Sequence, residues 1–131
     1  MELELESGAV PGPIDIPAIE RALGLLGSGD GYPSFAILTR NAADQDHYVQ
    51  AHVDEGGFVV EKREGHAQAH FTAMRSTAPD VPPSPRKRWQ FGKRAPEHER
   101  FALAEIIEIF RGYVDGSEPT FWKWVPLELS E

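Results

Sequence analysis

The chain has 131 residues, 40% hydrophobic and 26% charged, with 13 Lys and Arg against 21 Asp and Glu and a formal net charge of -8. That length suits one domain over 1–131, and the acidic surplus argues against nucleic acid as a partner while suiting a basic protein partner. No cysteine is present, which excludes a disulfide framework, a thiol nucleophile and a thiolate zinc site. No window approaches the ~20 apolar residues of a membrane span, so a cytoplasmic protein with no membrane partner is expected.

"MELELE" alternates like a strand, but "SGAVPGP" breaks it, so residues 1–13 read as an edge strand or a loose arm. "IDIPAIERALGLLGSGDG" reads as a helix. Asp15 is its N-cap, Pro17 sits early where a missing N–H is tolerated, and Ile19, Leu23 and Leu26 share a face until Gly27 and Gly29. "PSFAILTR" supplies a compact apolar strand over Ser34–Arg40, ended by the polar turn "NAADQD".

"HYVQAHVDEGGFVVEKREGHAQAHFT" alternates through three more strands. A "DEGG" turn places Gln50 opposite Glu61 and Tyr48 opposite Arg63. Reading "EG" at 64–65 as a two-residue hairpin loop places Arg63 opposite His66, Glu61 opposite Gln68 and Val59 opposite His70. The parities agree. Val49, Ala51, Val53, Phe58, Val60, Ala67, Ala69 and Phe71 form a core face, and Tyr48, Gln50, His52, Glu61, Arg63, His66, Gln68, His70 and Thr72 form a polar one.

Periodicity disappears after Met74. Residues 76–96 read as a long surface loop, with five of the 11 prolines and a basic cluster of Arg86, Lys87, Arg88, Lys93 and Arg94 around Trp89 and Phe91. "PEHERFALAEIIEIFRGYVDG" is a helix starting near Pro96, with Leu103, Ile107, Phe110 and Val114 on one face and Gly116 at its end. "PTFWKWVPLEL" supplies a last strand over Thr120–Val125, with Pro126 beyond it and the Trp122–Trp124 pair closing one edge of the core. The expected fold class is α+β: an antiparallel meander of four to five strands, an N-terminal helix and a long helix in the C-terminal half covering one face.

The chemistry follows from the polar face. His52 and His70, both beside Val59 in the expected register, stand two interstrand steps or roughly 10 Å apart, too far for a comfortable shared metal, so no metal site is expected. Glu61 sits between two amides with Arg63 nearby, which suits a hydrogen-bonding ladder better than a general acid. Nucleophile, zinc-hydrolase, P-loop and dinucleotide signatures are absent, and no cofactor is implied. A face of Tyr, Gln, Glu, Arg and His matches the rim of a protein interface, and Trp and Arg, as in "RKRWQF", are frequent anchors. The contact residues expected are Gln50, His52, Glu61, Arg63, Gln68 and His70, with Arg88 and Trp89 in the loop. The alternatives are a small enzyme or ligand binder centred on Glu61 and a domain that forms a homodimer through this face.

The strand after an N-terminal helix, the meander "YVQAHVDEGGFVVEKREG" and the closing "ALAEIIEIFRGYVDGSEPTFWKWVPLEL", with its W-x-x-L ending, resemble the Imm1-type immunity proteins of bacterial polymorphic-toxin systems over about residues 34–129. The segment 79–96 departs from that layout. The resemblance implies an α+β antidote that binds a cognate toxin and covers its active site, with no catalytic residues of its own.

Overall fold

The computed structural model describes residues 1–27, 31–41, 44–54, 56–65, 69–77 and 99–127. In chain order these form β1 (Glu2–Leu5), β2 (Gly8–Ala9), α1 (Ile16–Leu23), β3 (Phe35–Asn41), β4 (Asp44–Asp54), β5 (Gly57–Glu64), β6 (His70–Arg75), α2 (Leu103–Asp115) and β7 (Trp122–Pro126). All seven strands join one antiparallel sheet in the order β2-β1-β3-β4-β5-β6-β7. The α+β class stands as expected, with more strands than the four to five anticipated. The added strands come from the N-terminus: Leu3 pairs with Leu38 on β3 and is buried, so "MELELE" is an integral strand and β2 takes the edge.

Helix α1 begins as its sequence dictates, with the Asp15 carboxylate accepting from the Ala18 N–H at 2.9 Å. It ends at Leu23, earlier than expected, because Gly24 caps it and the next residues tighten into i to i-3 turns. Leu26 is buried nonetheless. Helix α2 starts at Leu103, well after Pro96, with the Glu105 carboxylate accepting from the Ala102 N–H at 2.8 Å and Gly116 in the left-handed conformation at its end. Its buried stripe is Ile106, Ile109, Phe110 and Tyr113. Ile107 and Val114 flank that stripe and Leu103 is 37% exposed, so the helix is rotated from the face the sequence suggested.

The β4–β5 register is the one the "DEGG" turn dictates, with Gln50 opposite Glu61 and Tyr48 opposite Arg63. The β5–β6 register is not that of a two-residue loop. Arg63 faces His70 and Glu61 faces Thr72, and the Glu64 N–H donates to the Ala69 carbonyl, so the connection is wider. Parity survives, because the slip is an even number of residues, but every expected partner across this pair changes. The "NAADQD" turn is shorter than expected: the strands run on until Asn41 faces Asp44, with a register irregularity between Thr39 and Asn41.

Beyond Thr72 the strand β6 leaves β5 and continues with β7. Phe101 takes the vacated place, exchanging both backbone hydrogen bonds with Phe58 at 3.0 and 2.8 Å. The approach depends on Gly57, where an added Cβ would lie 2.9 Å from the Arg100 Cβ. Thr72, fully buried where the strands part, donates its hydroxyl to the Val60 carbonyl at 3.4 Å. Arg75 fastens the junction to α2: its guanidinium meets both Glu105 oxygens at 2.8 and 3.1 Å, donates to the Arg100 carbonyl and lies 4.9 Å from the Phe101 ring centre. The Arg75 hydrogen bond, followed by that from the Ala102 N–H, holds the Glu105 carboxyl below its ordinary range.

Both helices pack on one face of the sheet, where Leu3, Leu38, Val49, Val60, Ala73 and Trp122 join the helical stripes in a single core. At the end of this face reached by the C-terminus of α2, parity puts charged residues inward: Arg40 on β3 and Lys62 and Glu64 on β5. The opposite face carries the polar residues.

Candidate functional site

The antiparallel registers arrange the face opposite the helices in cross-strand rows. One row runs Glu2, Thr39, Tyr48, Arg63, His70, and the next runs Glu4, Ile37, Gln50, Glu61, Thr72, Val125. Neighbours within a row stand roughly 4.8 Å apart, close enough for side chains to touch. Glu61 is the meeting point. Its Oε1 accepts from Gln50 Nε2 at 3.3 Å and lies 3.4 Å from His70 Nε2, the latter reaching it diagonally because the wider β5–β6 connection seats His70 opposite Arg63. The Glu61 and His70 side chains are only 15% and 16% exposed.

Tyr48 completes the group. Its ring meets His70 edge-on at 6.5 Å between centroids, and the Arg63 guanidinium carbon lies 5.9 Å from its centre. Reasoning from residue types placed Tyr48 on this face without assigning it to the site. The signal was available in its pairing with Arg63. Of the residues expected to make contact, Gln50, Glu61, Arg63 and His70 come together, and His52 lies one row away between Phe35 and Val59. Gln68, Arg88 and Trp89, and with them the basic loop 76–96 from residue 78 onward, lie outside the described residues.

Two features differ from a simple wet sheet face. First, Val59, Thr72, Met74 and Val125 on this side are buried, at 1%, 0%, 6% and 2% exposure, so much of its β5–β7 half is closed, with Glu61, Arg63 and His70 left partly exposed there. Second, the β3–β4 half is intermediate: Phe35, Ile37, Thr39, Tyr48, Gln50 and His52 are each partly exposed. The accessible polar surface is therefore narrower than the pattern suggested, and centred on β4. The two histidines no longer flank a common residue, since His52 pairs with Val59 and His70 with Arg63. Among the described residues no group of three or more His, Asp or Glu side chains is placed to hold a metal ion.

The arrangement can hydrogen-bond, stack and exchange charge with an incoming surface, using an amide, a carboxylate, an imidazole, a phenol and a guanidinium within one patch. The 3.3 and 3.4 Å contacts are longer than the ~2.7–3.2 Å of well-formed N–H···O bonds, so the ladder has room to tighten or re-pair. No protein-family model, curated protein or solved structure matches the chain. Among the described residues no helix is long and apolar enough to cross a membrane.

Proposed function

We propose that this is a non-enzymatic binding protein, an immunity protein that neutralises a cognate bacterial toxin by covering its active site. The observation that carries the reading is the Gln50–Glu61–His70 ladder with Tyr48 and Arg63, set on the sheet face that neither helix covers. Polar side chains already oriented by one another lose less freedom on binding than isolated ones, so such a patch favours recognition. The net charge of -8 speeds encounter with a basic partner, and a nucleic-acid enzyme is basic where phosphates lie. The resemblance to Imm1-type proteins points the same way.

The test is affinity capture from the native host with the tagged protein beside a Tyr48→Ala/Gln50→Ala variant, both checked for an unchanged fold by circular dichroism. A single stoichiometric partner held by the wild type and lost by the variant is the expected result. Equal recovery by both would move the contact off this face, and recovery by neither would sink the reading. A second reading, a small-ligand or enzyme site around Glu61, is favoured by the low exposure of Glu61 and His70. It predicts that a fractionated small-molecule extract raises the melting temperature of the wild type and not that of Glu61→Gln.

A further inference from the structure

On the helix side of the sheet, three charged residues occupy positions where alternation calls for apolar ones: Arg40, Lys62 and Glu64. Together with Tyr113, Trp122 and Trp124 they line a cavity of about 200 Å³, closed along the end of α2 by Gly112, Gly116, Ser117 and Pro119. Lys62 is drawn well in. Its side chain is 16% exposed, its Nζ lies 4.6 Å from the Trp124 ring centre and 5.4 Å from that of Phe71, and Glu64 Oε2 is 3.1 Å away. Arg40 stands where the β3–β4 register slips, and such irregularities re-aim side chains. Its guanidinium lies 4.5 Å from the Tyr113 ring centre and donates to the Tyr113 carbonyl at 3.3 Å.

Charge and shape decide what this cavity suits. Two of the carbonyls at the end of α2 already have donors: Gly112 accepts from the Gly116 and Ser117 N–H groups and Tyr113 accepts from Arg40. Against one carboxylate stand two cations, a net positive charge between aromatic walls. A Lys ammonium has three donors and an Arg guanidinium five in a planar fork, so neither is exhausted by the bonds described. A volume of about 200 Å³ is below the ~300–1,000 Å³ of drug-sized sites and admits a single ring.

We propose that this cavity binds a small aromatic carboxylate, with the carboxylate between Arg40 and Lys62 and the ring against Tyr113 and Trp124. The site is on the opposite side of the sheet from the Glu61 ladder, so it stands or falls separately from the toxin-binding reading. Glu64 competes with the ligand for Lys62 and repels it, which gives the proposal an unusual signature: removing one charge weakens binding and removing the other strengthens it.

The experiment titrates the full-length protein with benzoate, following tryptophan emission and heat, with neutral benzamide and inorganic phosphate as comparison probes. Saturable one-to-one binding of benzoate is expected, with both comparison probes weaker by about tenfold or more. Arg40→Gln, which removes the charge and keeps a polar side chain, should weaken benzoate binding by about tenfold, and Glu64→Gln should tighten it several-fold. Absence of saturation by about 10 mM benzoate would overturn the proposal, as would equal binding of benzamide or an unchanged affinity in both variants. Phosphate binding as tightly as benzoate would overturn the aromatic part of it. Arg40 is exposed, so its variant is expected to fold and keeps the test decisive even if Glu64→Gln does not.

Discussion

The two faces of the sheet come from the same strands and obey different rules. Away from the Arg40, Lys62 and Glu64 cluster, the helix side is an apolar layer in which Leu38, Val49, Val60, Ile106, Ile109 and Phe110 meet with essentially no exposure. The other side alternates within a few ångströms between closed apolar positions such as Val59 and Met74 and half-open polar ones such as Tyr48 and Gln50. The difference shows that alternation reports which residues share a face but not whether that face is dry.

The comparison can be broken by substitutions on either side. Phe110→Ala on the helix side should cost about 3–5 kcal/mol, read as a lower urea midpoint, because a fully buried ring leaves a cavity that the packed helices cannot fill. Met74→Ala on the other side should cost about 2–3 kcal/mol if its 6% exposure reflects real packing. A loss under ~0.5 kcal/mol, the cost of a surface change, would show that face to be open throughout.

The junction between sheet and α2 offers a pH test. The Glu105 carboxyl titrates lower in the folded chain than in the unfolded one, because Arg75 and the Ala102 N–H bond its charged form. A depressed folded value contributes stability that is present above the unfolded value of ~4.3 and is lost as pH falls through the folded one. With Arg75 38% exposed and solvent screening the pair, the contribution is about 1 kcal/mol or less. Glu105→Gln should therefore flatten the fall in melting temperature below about pH 4.3. An identical acid profile in the variant would show the pair to be energetically silent. Smallest of all, Gln50→Ala removes one long hydrogen bond and should cost about 0.5 kcal/mol, while its effect on partner capture should be large. A multi-kcal/mol loss of stability there would make the ladder structural instead.

Much of this was legible in the residues. The "DEGG" turn and strict alternation set the β4–β5 register, so the meeting of Gln50 with Glu61 could be read directly. The β5–β6 register could not, because a slip by an even number of residues leaves every side chain on its own face and parity is blind to it. Its consequence was chemical, since only the wider connection brings His70 beside Arg63 and within reach of Glu61. The amphipathic nature of α2 was plain, yet its two flanking apolar residues, Ile107 and Val114, made a neighbouring stripe look equally good. Lys62 carried a signal that went unread: a lysine at the parity of Val60 and Phe58 marks a place where the core gives way to something charged.

The margins of the sheet carry a last consequence. One edge, β2, is two residues long, and the other, β7, ends on Pro126, which has no N–H to offer an added strand. Neither is a good template for extension, so self-templated growth into fibrils is checked at both ends of the strand order. What the described residues offer a neighbouring surface is a face, with side chains as its vocabulary, more than a row of backbone amides.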